Sequence, residues 1–217
     1  MKEEPAAPGT RRALRTKEKI LDSALQEFSR YGFDGARVDR IAKRAGTNKE
    51  RLYAYIGGKE KLFSAALQRV YGLLVEEDAE LLFLGEEDLE GLTEKLVDRY
   101  FAFHEKHPEF RRLLAWANLM EGGYESHIHG MRRETFDHLS ALYRKGQARG
   151  VFSSDVSARA YLFVVSAVTY FYYSNLKTMS QTLGTDLSGE DVRREMQGEI
   201  LRMLEGKKKP PRPRRLV

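Results

Sequence analysis

Apolar residues recur along most of the chain at intervals of three and four, the spacing that gathers them on one face of a helix. Ile20, Leu21, Ala24, Leu25 and Phe28 form the first stripe, preceded by a capping Thr16 and closed by Gly32. Val38, Ile41 and Ala42 mark a second helix, from about Val38 to Ala45, which Gly46 stops. A third, about Asn48 to Tyr55, turns Leu52 inward and ends at Gly57-Gly58. The fourth starts near Lys59 and carries Leu62, Phe63, Ala66, Leu67, Val70 and Leu74. Helical patterns then cover roughly 88–106, 109–121, 125–149, 156–182 and 189–205, punctuated by Pro108, Gly122-Gly123, Gly150 and Gly184. No segment sustains a period of two. The pattern predicts an all-α chain of about nine helices, whose three short N-terminal helices have a thin core of their own.

Composition narrows the classes. At 217 residues, 41% apolar and 32% charged, the chain is long enough to bury a core and too apolar to be disordered. It holds no cysteine, which removes disulfides and thiolate metal sites and favours a reducing compartment. No apolar run approaches the ~18 residues of a membrane span. The N-terminus, Met1-Lys2-Glu3-Glu4-Pro5, has no apolar signal core. A cytoplasmic protein without membrane association is expected.

The net charge of +5 conceals a segregation. Residues 1–59 hold 14 Lys/Arg against 8 Asp/Glu, whereas residues 60–205 hold 17 against 24. Residues 206–217 add six basic side chains and no acid. A basic head on an acidic body suggests that the head alone meets a polyanion, although uneven surfaces also occur without one. The Pro- and Arg-rich end reads as a disordered, solvated tail.

The helix pair around Gly46 has the form of a helix-turn-helix, with the third helix sized to enter the major groove of DNA. Thr47, Asn48 and Lys49 open it, Asn48 as the N-cap beside amides able to meet a phosphate. Arg51 can donate a bidentate pair to guanine. Tyr53 and Tyr55 suit the sugar–phosphate wall, and Lys59, Arg37 and Lys43 suit phosphates. Arg11, Arg12 and Arg15 could act as a loose minor-groove arm. The same residues also fit a solvated basic face with the two tyrosines partly in the core.

Three runs within Thr16–Phe63 carry a resemblance. They are Ile20-Leu21-Asp22-Ser23-Ala24-Leu25-x-x-Phe28-x-x-Tyr31-Gly32-Phe33, Val38-x-x-Ile41-Ala42-x-x-Ala45-Gly46, and Lys49-x-x-Leu52-Tyr53-x-Tyr55-Ile56-x-x-Lys59-Glu60-x-Leu62-Phe63. With compatible spacing over nearly fifty residues, this stretch resembles the DNA-binding domain of the TetR family of bacterial regulators. The resemblance implies that the third helix enters the major groove and that Lys49, Tyr53, Tyr55 and Lys59 meet DNA. Glu50-Arg51 departs from the family's usual small pair, so contacts from that pair do not carry over. Arg51 could read guanine instead, and Glu50 could accept from cytosine or pair with Lys49 or Arg51. The body is loosely similar to the branch of pyrimidine-utilisation regulators at His107-Pro108-Glu109-Phe110, Arg149-Gly150-Val151-Phe152 and Tyr172-Tyr173-Ser174-Asn175.

For that body the resemblance implies an unidentified small organic effector and a homodimer built on the last two long helices. The predicted division is a flexible basic arm (1–15), the helix-turn-helix domain (16–63), an effector-binding and dimerisation domain (64–205) and the tail (206–217). Segment 161–175 is apolar nearly all round, as in a helix buried on two sides. Phe163, Ala167, Tyr170 and Ser174 are expected to face Trp116, Asn118, Glu121 and Tyr124 across an effector pocket; taken one at a time, these residues fit a plain core with satisfied polar partners better. Val165, Val168 and Tyr172, with Met196, Ile200 and Met203 of the last helix, are expected at the dimer interface.

Five histidines, including His127-x-His129, lack an acidic ligand at a diagnostic spacing, so no metal is expected. No catalytic constellation or cofactor motif stands out. The expected function is a ligand-responsive repressor of double-stranded operator DNA. The competing reading is a helical small-molecule-binding or enzymatic protein with a vestigial helix-turn-helix.

Overall fold

A computed structural model describes residues 8–120 and 123–205. Glu121, residues 1–7 of the predicted arm and the predicted tail lie outside these. The described residues form ten α-helices and three 3₁₀ segments, with no strand. They are α1 (Pro8–Gly35), α2 (Val38–Arg44), α3 (Lys49–Ile56), α4 (Lys59–Asp78), α5 (Leu92–Lys106), α6 (Pro108–Leu119), α7 (Arg133–Ala148), α8 (Ala158–Ser174), α9 (Leu176–Leu183) and α10 (Glu190–Glu205). The 3₁₀ segments are Ala79–Phe83, Glu86–Gly91 and Tyr124–Ile128.

Two boundaries differ from expectation for visible reasons. Thr16 does not cap α1, which begins at Pro8 and takes in most of the predicted arm. The Thr16 hydroxyl donates instead to the Arg12 carbonyl at 2.8 Å, a bond threonine makes inside a helix. The run 156–182 breaks at Asn175 (φ −113°, ψ 13°), whose side-chain amide donates to the Phe171 carbonyl. That break accounts for the tenth helix.

The chain divides into two compact units. The first comprises the described residues up to Asp78 together with His107–Arg132. Its core is Ile20, Phe28, Ile41, Leu52, Leu62, Phe63 and Leu67, drawn from α1 to α4. A domain boundary at 63/64 would cut the continuous helix α4. The carboxylate of Asp78, at the end of α4, is fully buried and accepts from Arg132 Nε at 2.7 Å, holding the two ends of the unit together.

The second unit comprises Ala79–Lys106 and the described residues from Arg133 onward. Helix α8 packs on α5 and α7, burying Tyr161, Leu162, Val165, Thr169 and Tyr172. The Tyr161 ring stacks on Tyr143 at 4.3 Å between centroids, and its hydroxyl meets Thr93 at 2.9 Å. Burial pushes the Tyr161 phenol well above its ordinary range, with the Thr93 bond opposing. An acid whose pKa rises on folding leaves stability intact below the unfolded value, about 10 for tyrosine, and removes it as pH climbs further. Stability should therefore fall above about pH 10, and less steeply in Tyr161→Phe. Denaturant unfolding followed by circular dichroism at several alkaline pH values checks this; equal slopes for both proteins would reject it.

Candidate nucleic-acid interface

The turn between α2 and α3 closes by backbone bonds. Gly46 adopts φ +67°, a conformation that suits glycine, while the Thr47 amide donates to the Ala42 carbonyl at 3.0 Å. Asn48 caps α3, its Oδ1 accepting from the Arg51 amide at 2.9 Å. Leu52 is the fully buried residue of this two-turn helix. With Leu52 pinned inward, Lys49, Glu50, Arg51 and Tyr53 stand on the exposed side, and Tyr55 and Thr47 are half-buried.

The basic side chains differ in their freedom. Lys49 lies 3.5 Å from Asp39 of α2, so its charge is shared with that helix rather than with Glu50. Lys59 donates to the Asp34 carbonyl at 3.3 Å and lies 4.9 Å over the Phe33 ring, fixing the start of α4 against the end of α1. Arg37 is the N-cap residue of α2 in extended backbone, with an exposed side chain; Lys43 is exposed. The outward face therefore offers guanidinium, ammonium and phenol donors within two short helices and the turn that joins them. That set can meet base edges and phosphates.

Beneath this face lies a residue that the sequence reading did not single out. Glu27 of α1 is fully buried, and its Oε1 accepts from the Arg37 amide at 3.1 Å and from Arg40 Nε at 2.6 Å. Its Oε2 lies 3.8 Å from Arg44. Arg40 also covers the Tyr31 ring at 4.4 Å and donates to the Gly35 carbonyl. One carboxylate thus fixes the N-cap and one face of α2, and α2 leads into the turn. A signal was present: Glu27 occupies a position of the Ile20–Ala24–Phe28 apolar face, and Arg37, Arg40 and Arg44 recur at helical spacing.

Trp116 and Tyr124, expected in an effector pocket, pack on the helix-turn-helix within the first unit. The backbone breaks at Gly32 (φ 68°, ψ −174°), and a Cβ there would lie 2.8 Å from the Trp116 ring. Tyr124 meets Phe63 at 5.1 Å and Phe33 at 6.1 Å between ring centroids. Asn118 is exposed in the same unit.

Phe163, Ala167, Tyr170 and Ser174 belong to the second unit, where Phe163 is 70% exposed rather than turned inward. Val165 and Tyr172, expected at a partner face, are buried inside their own unit; the Tyr172 hydroxyl donates to the Leu187 carbonyl at 2.7 Å. A helix apolar on every side carries no phase in its hydropathy, so the sequence does not say which of its faces turns inward. Ala167, Val168, Tyr170 and the edge of Tyr172 line an open groove of about 640 Å³ with Met196 and Ile200 of α10. Met203 is exposed beyond it.

Comparisons with known proteins agree with this architecture. Residues 20–66 match the family described as bacterial regulatory proteins, tetR family, and residues 90–204 match a tetracyclin repressor-like C-terminal domain. The chain is 32% identical over 184 residues to the HTH-type transcriptional repressor NicS of Pseudomonas putida, covering 83% of this chain and 86% of that one. It is 36% identical over 154 residues to the repressor SCO4008 of Streptomyces coelicolor, covering 70% and 76%. The crystal structure of the putative regulator SCO4942 from Streptomyces coelicolor aligns over 88% of this chain and 96% of its own, at 24% identity and a TM-score of 0.64. That structure supports the fold alone. No helix among the described residues is long and apolar enough to cross a membrane. With one domain match spanning more than half of its length and a full-length relative above 30% identity, the chain belongs to the TetR family of bacterial regulatory proteins.

Proposed function

We propose that the chain is a ligand-responsive transcriptional repressor that binds a near-palindromic operator as a homodimer and leaves it on binding a small organic effector. The observation that carries this is the outward face of α3, where Lys49, Arg51 and Tyr53 are exposed on a helix pinned by Leu52 and capped by Asn48. The names of NicS and SCO4008 as repressors support the direction of control. Thr47, Tyr55, Lys59, Arg37 and Lys43 are assigned to the DNA backbone, and Arg51 to a base. The groove on α8–α10, with Val168, Met196 and Ile200, is assigned to the second subunit. The residues around 16–63 form the reading head, and the remainder regulates it. An effector that prefers a subunit spacing unfit for DNA would shift the population away from the operator.

Tyr53→Ala with Lys59→Ala is expected to weaken operator binding in a gel shift at least tenfold while the dimer persists in size-exclusion chromatography. Lys59→Ala alone should flatten the dependence of log affinity on log salt by about one unit, the signature of one lost phosphate contact. Unchanged binding in the double variant would remove α3 as the reading helix.

A further inference from the structure

The first unit holds a second concave site, and none of its lining residues comes from α3. It is a cleft of about 570 Å³ formed by α1 between Asp22 and Arg30, by Arg44 at the end of α2, and by the first turn of α6 at Pro108–Arg112. Three helices each supply one guanidinium: Arg30, Arg44 and Arg112. Among the described residues Arg112 makes no ion pair or hydrogen bond. Arg30 has a long contact with the Tyr31 ring, 5.3 Å from its centroid. Arg44 is held loosely, 3.5 Å from the Ser23 carbonyl and 3.8 Å from Glu27.

Two carboxylates share the wall, and both have cationic or hydrogen-bonding partners of their own. Asp22 lies 3.7 Å from Arg69, and Glu109 lies 3.1 Å from His107 Nδ1. The guanidiniums therefore outnumber the acids and keep unused donors. The N-terminal turn of the twelve-residue α6 adds the positive end of its dipole. Planar guanidiniums converging from separate helices suit a ligand with several anionic oxygens, which each can engage in pairs.

We infer that this cleft binds a small polyanion, a phosphorylated or polycarboxylated metabolite, with Arg30, Arg44 and Arg112 as its ligands. Such an occupant ties α6 to α1 and α2. Because α2 carries the turn that sets α3, occupancy alters operator affinity; this consequence rests on the DNA-binding reading above, whereas the binding itself does not. Trp116 lies one helical turn beyond Arg112 on α6 and sits against Gly32. As the single tryptophan of the chain, it reports on the junction.

The test uses the full chain at constant ionic strength, with inorganic pyrophosphate and citrate as separate probes read by calorimetry and Trp116 fluorescence. Saturable binding of one probe is expected, and which probe binds distinguishes the phosphate class from the carboxylate class. Arg112→Ala and Arg30→Ala should each weaken it at least tenfold, Arg112→Lys should restore part of the loss, and Lys145→Ala in the second unit should change nothing. Melting temperatures of the variants confirm that they remain folded. Equal weakening by Lys145→Ala, or no saturable binding of either probe, overturns the site. So does competition by a non-specific DNA duplex, which would make the cleft a DNA-backbone contact. A probe that binds normally but leaves operator affinity unchanged refutes the regulatory consequence alone.

Discussion

Glu27→Ala is expected to destabilise the protein by about 3 kcal/mol and to weaken operator binding more than any single change on the exposed face. Deleting a buried carboxylate leaves its partners stranded. The Arg37 amide loses its acceptor at the N-cap of α2, and Arg40 and Arg44 lose the counter-charge that holds them to α1. A fully buried pair broken on one side costs about 3–5 kcal/mol. The lower end applies because the side chains of Arg40 and Arg44 are each 41% exposed and can turn to water. For a chain of this size the loss lowers the melting temperature by roughly 6–12 °C. Glu27→Gln keeps the shape and one acceptor, so it should cost about 1 kcal/mol. Thermal unfolding of the three proteins checks the order, and an alanine variant within 1 kcal/mol of the parent would show that Glu27 is not the anchor of α2.

The helices and the turn of the N-terminal segment were legible in the sequence to within a few residues. Its signals are local: Gly46 where the backbone needs positive φ, Asn48 three residues before the amide it caps, and Leu52 as the leucine that α3 turns inward. Each can be deduced without knowing what lies on the other side of the molecule. Glu27 was missed because burial of a carboxylate depends on partners more than ten residues away, although its place on an apolar face gave a warning.

The body was less legible because apolar composition exceeded what one face needs. Along α8 nearly every position is apolar, so the period of 3.6 exists in space but leaves no trace in hydropathy. The structure resolves the phase through polar residues. Thr169 is fully buried because its hydroxyl donates to the Val165 carbonyl at 3.0 Å, and Tyr172 points inward to reach Leu187. Trp116 and Tyr124 illustrate the converse. Two large aromatics close in sequence suit a ligand pocket, and in the structure their positions follow a missing side chain at Gly32 and the rings of Phe33 and Phe63.

Ile200→Glu should convert the protein from dimer to monomer and reduce operator affinity about a hundredfold or more. The α8–α10 groove is almost wholly apolar and leaves Phe171 and Leu183 about half exposed, a patch unusual on a protein that remains alone in water. A second copy placed on it across a twofold axis buries the same residues twice, so one substitution puts two unpaired carboxylates into the interface. Burying each costs several kcal/mol, and they repel one another. The subunit itself should stay folded, because Ile200 is only half-buried within it. Loss of the dimer uncouples the two reading heads, and the second half-site is then bound from solution rather than at the high effective concentration that linkage provides. Sedimentation equilibrium and a gel shift on the same samples test both steps. A glutamate variant that remains dimeric would move the subunit contact off this groove, and a monomeric variant with unchanged affinity would show that one head suffices for the operator.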